Sequence, residues 1–477
     1  MAFSAALAGC AVGPDYTRPD APTPAAFKEM KGWKRATPLD DMPRGDWWKP
    51  FRDPKLASLI GEVAVSNQTV IGAEAGYRAA TALVREARAG LLPTVSVSYD
   101  GGVAHSGARS SGASTGLSRT LYTFDAASGL AWTPDIWGKV RRQVESNVAG
   151  AQLSAADLAN ATLSSQALLA VAYFELRAAD ALKGLLETTA REYQRTLDIT
   201  ERQYAAGVVS KADVATARTQ LLNTQAQAIN AGIARAQYEH AIAVLMGRPP
   251  AELDVRPAAF PSAPPAIPVS LPSTLLERRP DVAAAERAMQ QQNALIGVAI
   301  GAYFPDISLS AAYGFAGRGP LALSLANEVW SAGVTASQVV FDGGLRSGAV
   351  EAARAVYDQS VAGYRQTVLS AFQDVEDQLV AARLLAQQAK VQDAAVQAAR
   401  EQVDVLLNQY SAGTVAFTAV VVGQAQLLSN QISALTVRQN RFLAAVRLIE
   451  ALGGGWDARD LPDAARIDAQ TALAPRL

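Results

Sequence analysis

Asp281 and Glu286, two carboxylates near one helix start, could divide acid and base roles between them. Capping and the helix dipole explain acidic residues at such a place without any reaction. His105 and His240 could bind zinc, but two histidines far apart in sequence make a poor ligand set. Gly101-Gly102 and Gly343-Gly344 could cradle phosphate, yet neither is followed by Lys and both adjoin strand-like segments. The stretch 101–119 (GGVAHSGARSSGASTGLSR) is rich in hydroxyls and brings no convergent set of polar groups with it. Arg278 and Arg279 read as structural ion-pair partners that end a linker. No catalytic residue and no metal site is assigned.

Cys10 is the only cysteine, so there is no disulfide framework and no thiolate metal site. It ends the run Leu7-Ala8-Gly9-Cys10, small residues before a thiol, which resembles a bacterial lipobox. Such a Cys is acylated after signal cleavage, so a covalent lipid on Cys10 is expected and no other cofactor. The preceding residues carry no Lys or Arg and fall short of the roughly 15–30 residues of a complete secretory signal. Residues 1–9 therefore read as a signal remnant.

The 477 residues carry a net charge of −1, which gives no electrostatic basis for a nucleic-acid partner. No run of about 18 apolar residues is present, so no transmembrane helix is expected. A membrane role would need β-strands or a lipid anchor.

The chain is written twice. RQYAAGVVSKADVATARTQLL (202–222) matches NQYSAGTVAFTAVVVGQAQLL (408–428), with Tyr204, Gly207 and Leu221-Leu222 against Tyr410, Gly413 and Leu427-Leu428. LLPTVSVSYDGG (91–102) pairs with YFPDISLSAAYG (303–314), and DIWGKVRR (135–142) with FDGGLRS (341–347). The period is too long for a solenoid, whose repeats run about 20–50 residues.

Residues 10–53 are rich in proline, from Pro14 to Pro50, and read as an extended leader. The pattern from Asp53 to Leu91 is helical. No proline lies between Pro134 and Pro249, so that stretch is helical except for a break at Ala206-Gly207. Helices are expected at about 137–204 and 209–247, the first spanning roughly 100 Å. The first repeat thus covers 54–248, with strands at about 94–104 and 120–134. A proline-rich linker follows at 249–271. The second repeat, 272–452, places strands at about 306–316 and 328–341 and helices at about 344–410 and 415–452, with a turn at Ala412-Gly413. Residues 453–477 form a tail. Val361, Val368 and Val375, with Tyr364 and Ala371 between them, form a heptad seam that implies left-handed supercoiling, with Gln378 at the next d position.

The strand segments alternate. Val95, Val97 and Tyr99 share one face, as do Tyr122, Phe124, Ala126, Leu130 and Trp132. So do Ile307, Leu309, Ala311, Tyr313 and Phe315, and so do Trp330, Ala332, Val334, Ala336 and Val340. Strands of about ten residues with one apolar face suit lipid on one side and water on the other. A soluble sandwich alternates in the same way. The loops 101–119 and Gly317–Pro320 would then be hairpin tips. Four strands cannot close a barrel, because the smallest have about eight. Two chains give eight strands, a barrel filled by its side chains, while three chains leave a conduit.

These residues closely resemble the TolC-like outer-membrane efflux family, in its NodT-type branch of lipoproteins that serve RND tripartite multidrug pumps. The stretches that carry the resemblance are Cys10–Pro19, Asp135-Ile-Trp-Gly138-Lys-Val-Arg141-Arg142, Gln203–Val214, Leu271-Pro272-Ser-Thr-Leu-Leu-Glu-Arg278-Arg279-Pro280-Asp281 through Glu286, and Tyr303-Phe304-Pro305-Asp306. It runs from Cys10 to about Leu452. It implies a mainly α fold with a transmembrane β part. In a homotrimer, twelve strands form one outer-membrane barrel and twelve long helices a periplasmic tunnel. It also implies passive gated exit of small molecules such as drugs, a periplasmic membrane-fusion adaptor, an inner-membrane RND pump, and outer-membrane lipid around the barrel. The tips, with Tyr204, Gly207, Ser210, Tyr410, Gly413 and Thr414, would meet the adaptor. The resemblance places an Arg and two Asp near the second tip, where this chain has Val415, Ala419 and Val422. Asp213 is retained opposite Ala419, so Asp213, Val415, Ala419 and Val422 are the gate candidates. The alternative reading is a periplasmic coiled-coil spacer or adaptor without a pore.

Overall fold

The computed structural model describes residues 11–24, 26–29, 46–107, 119–267, 278–318 and 325–470. Cys10 lies outside them. Two helices open the body, α1 (Pro54–Ser66) and α2 (Gln68–Ala89). The single helix expected from Asp53 to Leu91 is broken at Asn67. There the backbone is extended, and the Asn67 side-chain oxygen accepts from the amides of Thr69 and Val70 at 2.9 and 3.2 Å. A capping side chain satisfies amides that a helix start leaves without partners, so the chain gains a second start there. The Asn67 side-chain NH2 (Nδ2) also donates to Leu245 O at 2.7 Å, which ties the break to a later helix.

The other elements are β1 (Thr94–Ser106), β2 (Arg119–Trp132), α3 (Lys139–Ala205), α4 (Lys211–Leu245), α5 (Pro280–Gly301), β3 (Asp306–Arg318), β4 (Glu328–Ser337), α6 (Leu345–Ser411), α7 (Phe417–Ala451) and α8 (Ala464–Gln470). Helices α3 and α6 have 67 residues each, and α4 and α7 have 35 each. Each boundary of the second pair lies 206 residues beyond its counterpart. A helix of that length spans about 100 Å. Its stability comes from packing along its sides: α3 runs against α2, α4, α5 and α7, and α6 against α5 and α7.

The main core sits where α1, α3, α5, α6 and α7 meet. Phe174 lies 4.8 Å from Phe442 and 5.1 Å from Phe51, ring centre to ring centre, and Phe260 lies 5.1 Å from Phe442. On α6, Tyr364, Val368, Ala371 and Val375 are buried as the seam requires. The seam then departs from the expected heptad, since Leu379 is buried in place of Gln378. Turning Gln378 inward would bury an amide, and the four-residue step is a stutter that relaxes the left-handed twist locally.

Candidate functional site: a two-faced sheet and two hairpin tips

The four strands form one antiparallel sheet in the order β1-β2-β3-β4. The register sets Val95 opposite Leu130, Tyr99 opposite Ala126, Leu130 opposite Ala311, Ala126 opposite Phe315, Leu309 opposite Val334 and Tyr313 opposite Trp330. Directly opposed residues share a face, so the apolar faces of all four strands merge into one. That face is bare within the protomer: Val97 is 84% exposed, Trp330 75% and Val334 71%. Ser128 falls on it, and its hydroxyl donates to Tyr313 O at 3.1 Å. The other face carries Ser96, Ser98, Asp100, Thr123, Asp125, Ser308, Ser310, Ser331 and Thr335 between small residues.

Two strand limits differ from expectation. β4 ends at Ser337, opposite Asp306, because Pro305 has no amide to extend the ladder. Val340, expected on the apolar face, therefore lies in the connection to α6. β1 continues to Ser106, so Gly101–Ser106 are strand and not loop. The loop ends expected at 108–118 and 319–320 lie outside the described residues. At the foot of the sheet, Trp132 donates to Leu91 O at 3.1 Å and Trp137 to Pro305 O at 2.8 Å.

The far ends of the helices are two hairpin tips with one backbone design. Gly207 and Gly413 adopt φ of +74° and +73°, a left-handed conformation that glycine reaches without strain. The amides of Val208 and Thr414 reach back to Gln203 O and Gln409 O, both at 2.9 Å, and those of Gly207 and Gly413 to Tyr204 O and Tyr410 O. This is the glycine helix stop, made twice.

The next residues differ. Ser210 caps α4: its Oγ accepts from the Asp213 amide at 3.2 Å, and the Asp213 carboxylate accepts from the Ser210 amide at 3.0 Å and hydroxyl at 2.8 Å. Asp213 is thus engaged in a capping box. Ala416 opens α7 with no side-chain cap, and buried Phe417 takes over by packing. Val415 and Ala419 are half-buried, and Val422 is exposed. From Phe417 to Val437, α7 contains no charged residue.

Among the expected contact residues, Tyr204, Gly207, Ser210, Gly413 and Thr414 are exposed, while Tyr410 turns inward. Its hydroxyl donates to Gln203 Oε1 at 2.7 Å, and its ring lies 5.4 Å from that of Phe417. Burial first, and the Asp213 carboxylate second, push the Tyr410 phenol above its ordinary value of 10.0. The bond joins the two hairpins at their tips. Gln203 was not among the expected residues; its partner is 207 positions away, and the one available signal was the alignment of Tyr204 with Tyr410.

Asp281 and Glu286 are both taken structurally, by Arg279 at 2.7 Å and Arg18 at 3.5 Å. His105 lies in β1 beside Thr120, at 2.9 Å, and His240 on α4. Among the described residues no helix is long and apolar enough to cross a membrane.

The family model described as Outer membrane efflux protein matches residues 59–248 and 271–454. The chain belongs to the outer membrane efflux protein family. It is 30% identical over 461 residues to TtgC of Pseudomonas putida, described as a probable efflux pump outer membrane protein, covering 94% of this chain and 93% of that one. It is 28% identical over 466 residues to SilC of Salmonella typhimurium, a probable outer membrane lipoprotein, covering 94% and 96%. Among solved structures, the outer-membrane channel OprN superposes with a TM-score of 0.85 at 29% identity, over 94% of this chain and all of that one. The Campylobacter jejuni CmeC channel shares the fold, with a TM-score of 0.88 at 23% identity over 97% and 98%. This member of the outer membrane efflux family is a channel component of an efflux pump and resides in the outer membrane. Its role is transport.

Proposed function

We propose that three copies join their sheets edge to edge into a twelve-stranded barrel continuous with a tunnel of twelve helices. The observation that carries this is the two-faced sheet with two unpaired edges, β1 and β4. An open edge is not viable in lipid, so the edges must meet those of other copies. A strand of 13 residues covers about 43 Å, which at a tilt near 45° matches a hydrocarbon core of about 30 Å. Exposed apolar residues on one side of α4 (Leu222, Ile229, Ile233) and of α6 (Leu384, Val391, Val405) supply further surface for other copies to cover. A poreless spacer would leave both these stripes and the apolar sheet face without a use.

In this reading the acyl chains on Cys10 anchor the leader at the periplasmic leaflet. The tips, presenting Tyr204, Gly207, Ser210, Gly413 and Thr414, receive a membrane-fusion adaptor, and an inner-membrane RND pump supplies the energy. The closed state rests on apolar contact among Val415, Ala419 and Val422 and on the Tyr410–Gln203 bond, because Asp213 is occupied by its cap. Relatives in Pseudomonas putida are described as toluene efflux pump and antibiotic efflux pump outer membrane proteins, and the proposed cargo is of that small-molecule kind. The test is planar-bilayer conductance with oligomer mass measured on the same preparation. Trimers that insert and pass ions support the reading; a species that never inserts ends it.

A further inference from the structure

The described leader residues, 11–24 and 26–29, run over the body as a strap with no regular element of their own. Val12 donates to Trp137 O at 3.1 Å. The Arg142 guanidinium, almost wholly buried, donates to Val12 O at 3.1 Å, Gly13 O at 3.2 Å and the Asp15 carboxylate at 2.8 Å. Gly13 crosses Gly297 so closely that a Cβ on Gly13 would fall 2.4 Å from Gly297 Cα.

The strap then follows α6. Arg18 donates to the Tyr364 hydroxyl at 3.0 Å, and Arg365 to Asp20 O at 3.3 Å. Phe27 is buried with its ring edge-on to Phe372 at 6.3 Å. The amides of Lys28 and Glu29 donate to the two Glu376 oxygens at 2.6 and 2.9 Å. The Glu29 carboxylate pairs with Arg383. The contact from Tyr364 to Arg383 covers about 30 Å of helix.

Arg383 is the counterpart of Arg177 at the repeat offset of 206 residues. Each meets an extended segment at the same depth in its helix, but the two grips differ. Arg177 is 4% exposed, donates to Arg256 O in the linker at 2.8 Å and pairs with Asp180 at 3.1 Å, which Arg235 also holds at 2.8 Å. Arg383 relies on one partly exposed ion pair to the strap. Packing changes at the same level. Within the protomer, α6 buries no residue from 380 to 398, so in the proposed trimer its packing there comes from other copies, across a surface that can slide. The matching part of α3 buries Phe174, Leu176, Ala178, Ala179, Leu186 and Thr189 inside its own chain.

We propose that the strap clamps α6 and so sets where that helix becomes free to bend, with Glu376 and Arg383 as positioning residues for the gate. Releasing the clamp lets the lower part of α6 swing and carries Tyr410 away from Gln203. The first hairpin stays fixed, because its counterpart contact is buried and made to the linker. This rests on the gated-tunnel reading above.

The test uses the full-length lipidated channel in planar bilayers, with limited proteolysis of the strap on the same samples. Arg383→Glu and Glu29→Arg should each expose the strap to protease and raise open probability about fivefold, and the double exchange should restore both to within about twofold. Glu29→Gln, which leaves the core untouched, should show the single-variant effect in weaker form. Strap release without a rise in open probability, or no release at all, overturns the proposal. Tyr410→Phe separates the two readings. If it opens the channel while Arg383→Glu does not, the clamp is wrong and the gate stands; if neither opens it, the gate reading falls and the clamp with it.

Discussion

Val97 and Ser98 are neighbours in β1 that point to opposite faces of the sheet, and exchanging each for Arg tests the membrane assignment directly. Val97 is 84% exposed within the protomer and opposes Ser128 on the apolar face. If that face meets lipid, an Arg there costs about 2–4 kcal/mol near the bilayer midplane and less toward either interface. The three copies of the proposed trimer raise this to roughly 6–12 kcal/mol, comparable with the whole stability of many domains. Ser98→Arg places the same charge on the water side, where a surface substitution changes stability by about 0.5 kcal/mol or less. The assay is urea-dependent folding into lipid vesicles, followed by the heat-modifiable mobility of the trimer. Val97→Arg should abolish insertion or shift its midpoint strongly, and Ser98→Arg should track the parent. Equal effects, or a larger loss from Ser98→Arg, would refute the assignment of faces and with it the barrel.

Burial raises the Glu450 carboxyl above its ordinary 4.5, with Arg279 and Arg447 opposing only in part, so the folded state binds a proton more readily than the unfolded one. The stability this contributes is complete below the unfolded value and is lost as pH rises through the raised one. Glu450→Gln, which keeps an acceptor for the Ser164 hydroxyl, should therefore melt higher than the parent at pH 8, with the gain vanishing toward pH 4; a gain independent of pH would refute this. Asp213→Ala removes a capping partner and should cost about 1 kcal/mol, seen as faster amide exchange in the first turn of α4. It should leave divalent-cation block of the channel unchanged, and a loss of block would show that the three Asp213 carboxylates of a trimer act together at the gate. Cys10→Ser should remove the lipid mass seen by intact-protein mass spectrometry; an unchanged mass would dismiss the lipobox.

Local chemistry made the framework legible. Gly207 and Gly413 end their helices because a left-handed residue must stand there, and proline-free runs around them leave nothing else to interrupt a helix. The alternation Val95, Val97, Tyr99 revealed a two-faced strand before any partner strand was known. Where a tertiary contact decides, the pattern fell short. Asn67 broke a helix that periodicity alone would continue, because its side chain caps the next turn and reaches Leu245. Gln378 yielded to Leu379 because burial outweighed heptad spacing. Among the site residues, Tyr410 was singled out for its alignment with Tyr204, but its bond to Gln203 depends on how two hairpins lie together. By composition the strap is only a proline-rich leader. Phe27, a large apolar residue in such a segment, is the signal that it packs, and it is buried.

The equal lengths of the two hairpins have a consequence for symmetry. In the proposed trimer, three copies, each ending in two tips at the same depth, would present six nearly level tips on a rim whose true symmetry is only threefold. A partner ring of six identical arms can seat on it without mismatch. A ring of three arms faces a choice between two docking phases, one-sixth of a turn apart. What distinguishes the phases is the chemistry that separates one tip from the next: Ser210 and Asp213 on one, Ala416 and Ala419 on the other. The duplication thus supplies the geometry for repeated engagement, and divergence between its halves supplies the angular address.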